Sequence, residues 1–238
     1  MKIDLSKVSY LQKGSGKDLV CLHGYLSSKE AFYHQVAYFS RFFRVTAIDF
    51  LGFGHSMSLT SAFSVDDYAT WTKEVLKKLG VQKPHVIAHS FGCRVAVKLA
   101  SRESDFFDKM ILTGAAGVRP KHGVAYHTKV FLYRIARRIA PAFAEKNFGS
   151  AEYRTLSPIM KESYKKIVNE DLVECARRIQ NQVLIVQGEE DTVTPISDVN
   201  AYLGALQHGK LVQIQGGHFA FLEYPTAFNL LVEGFIHE

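Results

Sequence analysis

Three polar residues in this chain each stand just past an apolar run: Ser90 in Val86-Ile-Ala-His-Ser-Phe-Gly92, Asp191 in Val183-Leu-Ile-Val-Gln-Gly-Glu-Glu-Asp191, and His218 in Leu211-Val-Gln-Ile-Gln-Gly-Gly-His218. A serine hydroxyl is a weak nucleophile unless a tight strand-to-helix turn holds it away from backbone hydrogen bonding and within reach of a base. Such a turn crowds the backbone before and after the serine, so the positions two places away on either side must be small; here they are Ala88 and Gly92. With a histidine to take the proton and a carboxylate to orient that histidine, the chemistry is acyl transfer through a serine nucleophile. Each residue also has a plainer reading. Ser90 would serve as a helix N-cap, His218 as a hydrogen-bonded core histidine, and Asp191 has carboxylate rivals in Glu189 and Glu190.

The surrounding elements decide between these readings. Apolar runs predict strands over 18–22, 43–48, 84–88 and 109–113, and again before Asp191 and before His218. Residues 2–12 alternate and predict an edge strand, followed by the turn cluster Lys13-Gly-Ser-Gly-Lys17. Helical spacing predicts helices over 27–40 with Phe32, Val36 and Phe39 inward, over about 64–79, over 91–102, and over 226–237. Ser64 and Asp67 form a capping-box start to the second of these, and Gly80 stops it. In the third, Val95 and Leu99 face the sheet and Arg94 and Lys98 face water. Alternation of strand and helix predicts an open parallel sheet, whose sites lie at the C-terminal ends of its strands, where all three polar residues fall.

The order Ser90, Asp191, His218 resembles that of the α/β-hydrolase superfamily, as do the His23-Gly24 turn, the Asp49-Phe-Leu-Gly-Phe-Gly-His-Ser56 loop and Gly217-His218-Phe219. The resemblance spans nearly the whole chain; Ala88 departs from the usual glycine but keeps its size. It implies an α/β-hydrolase fold, a mostly parallel central sheet with helices on both faces and a helical cap inserted after the sixth strand. The implied organisation is a core over 1–118 and 181–238 with a cap over 119–180. Implied roles are Ser90 as nucleophile, His218 as base, Asp191 as its orienting acid, and the backbone N–H groups of Tyr25 and Phe91 as the oxyanion hole. Tyr25, His89, Phe131, Tyr133 and Phe219 are the substrate-binding candidates. The expected activity is that of a carboxylesterase acting on small, fairly hydrophobic esters, with no metal or other cofactor. Thioester, carbon–carbon and perhydrolysis chemistries use the same triad, and a slow-turnover small-molecule receptor on this fold would keep it. Serine at position 90 speaks against the branches that use aspartate there to displace halide or open epoxides.

With 238 residues, 47% of them hydrophobic, the chain is long enough for one sizeable core. Its three cysteines, Cys21, Cys93 and Cys175, sit in apolar contexts and are expected to be reduced, as in the cytoplasm. Neither a signal peptide nor a membrane-spanning run is evident. From Arg119 to Arg178 there are thirteen basic and six acidic residues, a net +7 that exceeds the +6 of the whole chain. The basic doublets there accompany no nucleic-acid motif. The basic amphipathic stretch 128–140 suits a cap helix over a pocket better than a membrane-surface helix. The expected partner is therefore a small ester, without nucleic acid or stable membrane insertion. His85 and His89 have metal-ligand spacing only on a helix, and they fall on a strand. His23 is expected to shape its turn, and Asp49 to order its loop.

Overall fold

Near-continuous apolar segments become strands buried on both faces, because neither side of a parallel sheet covered by helices meets water. The computed structural model describes residues 3–119, 153 and 155–238. Its strands are β1 (Tyr10–Lys13), β2 (Asp18–Leu22), β3 (Arg44–Ile48), β4 (His85–His89), β5 (Met110–Thr113), β6 (Val183–Gly188) and β7 (Gly209–Ile214). They form one 7-stranded sheet in the order β1-β3-β2-β4-β5-β6-β7. β1 runs antiparallel to β3, and every other pairing is parallel.

Side chains alternate across this sheet. Val20, Leu22, Val86, Ala88, Leu112 and Ile185 face one core, with α2 (Val65–Lys78), α3 (Phe91–Ala100), α5 (Val173–Ala176) and α6 (Ile196–Ala205) packed on it. Leu19, Cys21, Ile87, Ile111, Leu184 and Val186 face the other, covered by α1 (Tyr33–Phe39), α7 (Ala220–Glu223) and α8 (Pro225–His237). The capping box forms as expected: the Ser64 hydroxyl accepts from Asp67 N, and the Asp67 carboxylate accepts from Ser64 N at 2.8 Å. All three cysteines are buried and free.

Three expectations need correction. Residues 5–7 form a 3₁₀ turn, its Asp4 carboxylate accepting from Ser6 N, so only Tyr10–Lys13 pairs as strand; local side-chain bonding competes there with the ladder. The 27–40 helix is split into a 3₁₀ turn over Lys29–Phe32 and then α1, although Phe32, Val36 and Phe39 are buried as expected. The stretch 119–180 lies between β5 and β6 of this sheet.

The third correction concerns Arg94, which is 7% exposed rather than solvated. Its Nη1 donates to the Ile167 and Glu170 carbonyls, at 3.0 and 2.8 Å, at the end of α4 (Pro158–Asn169). The last carbonyls of a helix lack partners in the helix itself and favour a cation, which is what Arg94 supplies. Further ties to α4 come from Tyr25 Oη to the Met160 carbonyl and from Ser163 Oγ to the Phe63 carbonyl. Among the described residues no helix is long and apolar enough to cross a membrane.

Candidate active site

β4 delivers Ser90 into a backbone conformation of φ 49° and ψ −106°, one that residues with a Cβ rarely adopt, and α3 starts at the next residue. The turn is as tight as the small flanking residues require. A Cβ on Gly92 would stand 2.1 Å from the Leu22 carbonyl oxygen. Ser90 N–H donates to the Thr113 carbonyl at 3.0 Å, continuing the ladder to the end of β5. Gly114, the next residue, has φ +54°, and a Cβ there would come within 2.8 Å of the His218 imidazole. Ser90 and His218 are thus packed against consecutive residues of one strand end.

β6 and β7 bring in the other two parts. His218 Nδ1 lies 2.9 Å from Asp191 Oδ2. The same oxygen accepts from Thr194 Oγ1 at 2.7 Å, while Oδ1 accepts from the N–H groups of Val193 and Thr194 at 2.8 and 3.0 Å. Burial raises the pKa of this carboxyl, but the hydrogen bonds from His218 and Thr194 outweigh it and hold the group well below the usual carboxylate range. An ionised Asp191 fixes the proton on His218 Nδ1 and leaves Nε2 with its lone pair, the state a general base needs. Glu189 and Glu190 are exposed, and the carboxylate beside the histidine is the one that the resemblance implied.

Among the described residues, no hydrogen bond uses the backbone N–H of Tyr25 or of Phe91. The Tyr25 ring is half-buried, packed edge-on to Phe53, Phe91 and Tyr164. Phe219 is 42% exposed, and its ring centroid is 5.4 Å from that of His218. Phe131 and Tyr133 lie outside the described residues. His89 does not present itself to substrate as expected: it is 1% exposed, and its Nε2 is 3.0 Å from the His218 carbonyl oxygen. Successive side chains of its strand point to opposite, equally buried faces, and its own ring packs against that of His218 with centroids 4.8 Å apart.

His23 and Asp49 order the adjoining loops. Phe50 N–H donates to His23 Nε2 at 3.0 Å, and His23 Nδ1 then donates to the Gly24 carbonyl. Asp49 accepts from Lys29 N, Lys29 Nζ and His55 N. Glu30, Asp49 and His55 bring possible metal-binding atoms within 4.8 Å of one another. The Lys29 ammonium already bridges Glu30 and Asp49, at 2.7 and 3.0 Å, and compensates their charge.

Sequence reasoning missed Thr194, and also Gln187, whose buried Nε2 donates to the Thr194 carbonyl at 2.8 Å and fixes the acid turn. The signal for Thr194 was its place three residues after the acid, within reach for a side chain that bonds back to a carboxylate in a turn.

The family described as alpha/beta hydrolase fold matches residues 18–149. The chain is 28% identical over 219 residues to a 2-hydroxymuconate semialdehyde hydrolase of Pseudomonas putida, covering 82% of this chain and 77% of that one. An (E)-2-((N-methylformamido)methylene)succinate hydrolase of Acinetobacter baylyi is 29% identical over 106 residues, only 44% of this chain and 40% of its own length. Among solved structures, an esterase from Exiguobacterium antarcticum superposes with a TM-score of 0.79 at 19% identity, covering 97% of this chain and 96% of that one. A meta-cleavage product hydrolase from Pseudomonas fluorescens IP01 gives 0.75 at 22% identity, covering 97% and 94%. At these identities the structural likeness establishes the fold alone.

Proposed function

Because the chain belongs to the alpha/beta hydrolase fold family, we propose that it hydrolyses carboxylic esters of small, fairly hydrophobic substrates through Ser90, His218 and Asp191. The observation that carries this reading is the part-buried Asp191–His218 hydrogen bond, with His218 and a serine held at positive φ packed against consecutive residues, Thr113 and Gly114. In this reaction His218 Nε2 takes the proton of Ser90 Oγ as the oxygen attacks the acyl carbon. Asp191 stabilises the imidazolium that forms, and the N–H groups of Tyr25 and Phe91, which no hydrogen bond among the described residues uses, receive the oxyanion. His218 then protonates the leaving alcohol. Water, deprotonated by the same nitrogen, releases the acid from the acyl-enzyme. Tyr25 and Phe219 would border the substrate, with Phe131 and Tyr133 contributed by a cap over 119–180. No step calls on a metal or other cofactor. Three buried free thiols are in keeping with the cytoplasmic setting we assign to it.

A second reading, hydrolysis of a carbon–carbon bond in a dienoic ketoacid, is favoured by the likeness to the 2-hydroxymuconate semialdehyde hydrolase over most of both chains. Steady-state turnover on aryl esters of graded acyl length, beside 2-hydroxymuconate semialdehyde, tests both. The ester reading expects burst kinetics and turnover on the short and medium esters, abolished in Ser90→Ala. Faster turnover of the semialdehyde would replace it with the second reading. Stabilisation by ligands with almost no turnover of either would mark a receptor.

A further inference from the structure

His89 is the residue before the proposed nucleophile, yet its side chain serves the loop that carries the proposed base. Its ring is almost wholly buried, at centroid distances of 4.8 Å from His218, Phe219 and Phe221. Burial pulls its pKa down to about 3, so the ring is neutral across the working range of a hydrolase. A neutral imidazole has one donor, and among the described residues its acceptor is the His218 carbonyl, 3.0 Å from Nε2. The proton is therefore on Nε2. Nδ1 has a lone pair and, among the described residues, no hydrogen-bond partner. That bare nitrogen packs against the turn before Tyr25: a Cβ on Gly24 would stand 2.7 Å from it and 3.5 Å from Ser90 Cβ. One rigid ring thus touches the base loop by a hydrogen bond and the His23-Gly24 turn by close contact, and it is joined to Ser90 by a peptide bond.

We propose that His89 is a positioning residue, which fixes the backbone of His218 relative to Ser90 and so sets the distance over which the proton of the serine is taken. The role needs a donor where Nε2 stands and nothing else of the imidazole. A glutamine amide nitrogen reaches that place, an asparagine amide stops near Nδ1, and leucine fills the volume without any donor. Misplacement of a reacting group by about 1 Å costs on the order of 10²-fold in rate.

The inference rests on the ester-hydrolase reading, and Ser90→Ala is the control that separates the two. The test compares His89→Leu, His89→Asn and His89→Gln for kcat and KM on an aryl ester, and for the far-downfield NMR signal of the His218 Nδ1 proton shared with Asp191. We expect kcat to fall tenfold to a hundredfold in the Leu and Asn variants with KM within threefold and the proton signal shifted or broadened. The Gln variant should recover to within about fivefold of the parent with the signal restored. If the Leu variant does not fold, the Asn and Gln pair decides on the same readings. A folded Asn variant with kcat within threefold of the parent, or a Gln variant no better than Asn, would overturn the inference. Activity that survives Ser90→Ala would instead overturn the reading beneath it.

Discussion

Thr194 Oγ1 and His218 Nδ1 reach the same oxygen of Asp191, at 2.7 and 2.9 Å. The threonine hydroxyl therefore competes with the imidazole for the negative charge that orients it. Thr194→Val removes one donor without altering the shape, which leaves the carboxylate more basic and its bond to His218 stronger. The expected outcome is an imidazole that protonates more readily, so the acid limb of the kcat/KM profile moves to higher pH. An unchanged limb would show that the hydroxyl has no part in tuning the base.

Asp191→Asn should lose roughly 10³ to 10⁴ in kcat, because an amide donor favours the wrong tautomer of His218. Glu189→Gln and Glu190→Gln, both exposed, should stay within about tenfold. Steady-state kinetics on an aryl ester compares the three.

The same carboxylate makes a prediction about stability. Its folded-state pKa is depressed, so its contribution is complete above the unfolded carboxylate pKa of about 3.9 and is lost as pH falls from there through the lower folded value. Urea unfolding below pH 4 should show this loss in the parent, and a shallower pH dependence in Asp191→Asn. Equal dependence in both would mean that other carboxylates carry the acid sensitivity.

How much of this was legible beforehand differed with the kind of signal. The parallel strands followed from apolar runs ending in chemistry-bearing residues, whereas the choice of Asp191 over Glu189 and Glu190 as the partner of His218 came from the family resemblance. Arg94 misled because helical spacing places it on the outer side of α3, and only α4, distant in sequence, turns that side into an interior. His89 misled for a related reason: its neighbour's role suggested exposure, whereas a strand reverses side from one residue to the next. Thr194 and Gln187 act through a turn whose conformation no periodicity encodes.

Arg94→Met should cost about 2–4 kcal/mol by leaving the Ile167 and Glu170 carbonyls, at the end of α4, without their charged donor. Denaturant unfolding measures it; a loss below about 0.5 kcal/mol would mean that water takes over the carbonyls.

The excess positive charge between Arg119 and Arg178 should speed the approach of anionic substrates. Carboxylate-bearing esters are expected to lose kcat/KM as salt rises and the Debye length shortens to about 8 Å at physiological ionic strength. Neutral esters should change little. An equal response in both classes would remove the steering effect.

The proposal that Ser90 is the nucleophile is tested most directly by labelling with a fluorophosphonate, followed by peptide mass spectrometry and by turnover of the same samples. The expected result is one adduct on Ser90 with activity lost in step. In Ser90→Ala the adduct should be absent, kcat lower by roughly 10⁴ to 10⁶, and unfolding unchanged. Labelling at another residue, or more than a few per cent of parental activity in a folded Ser90→Ala, would contradict it.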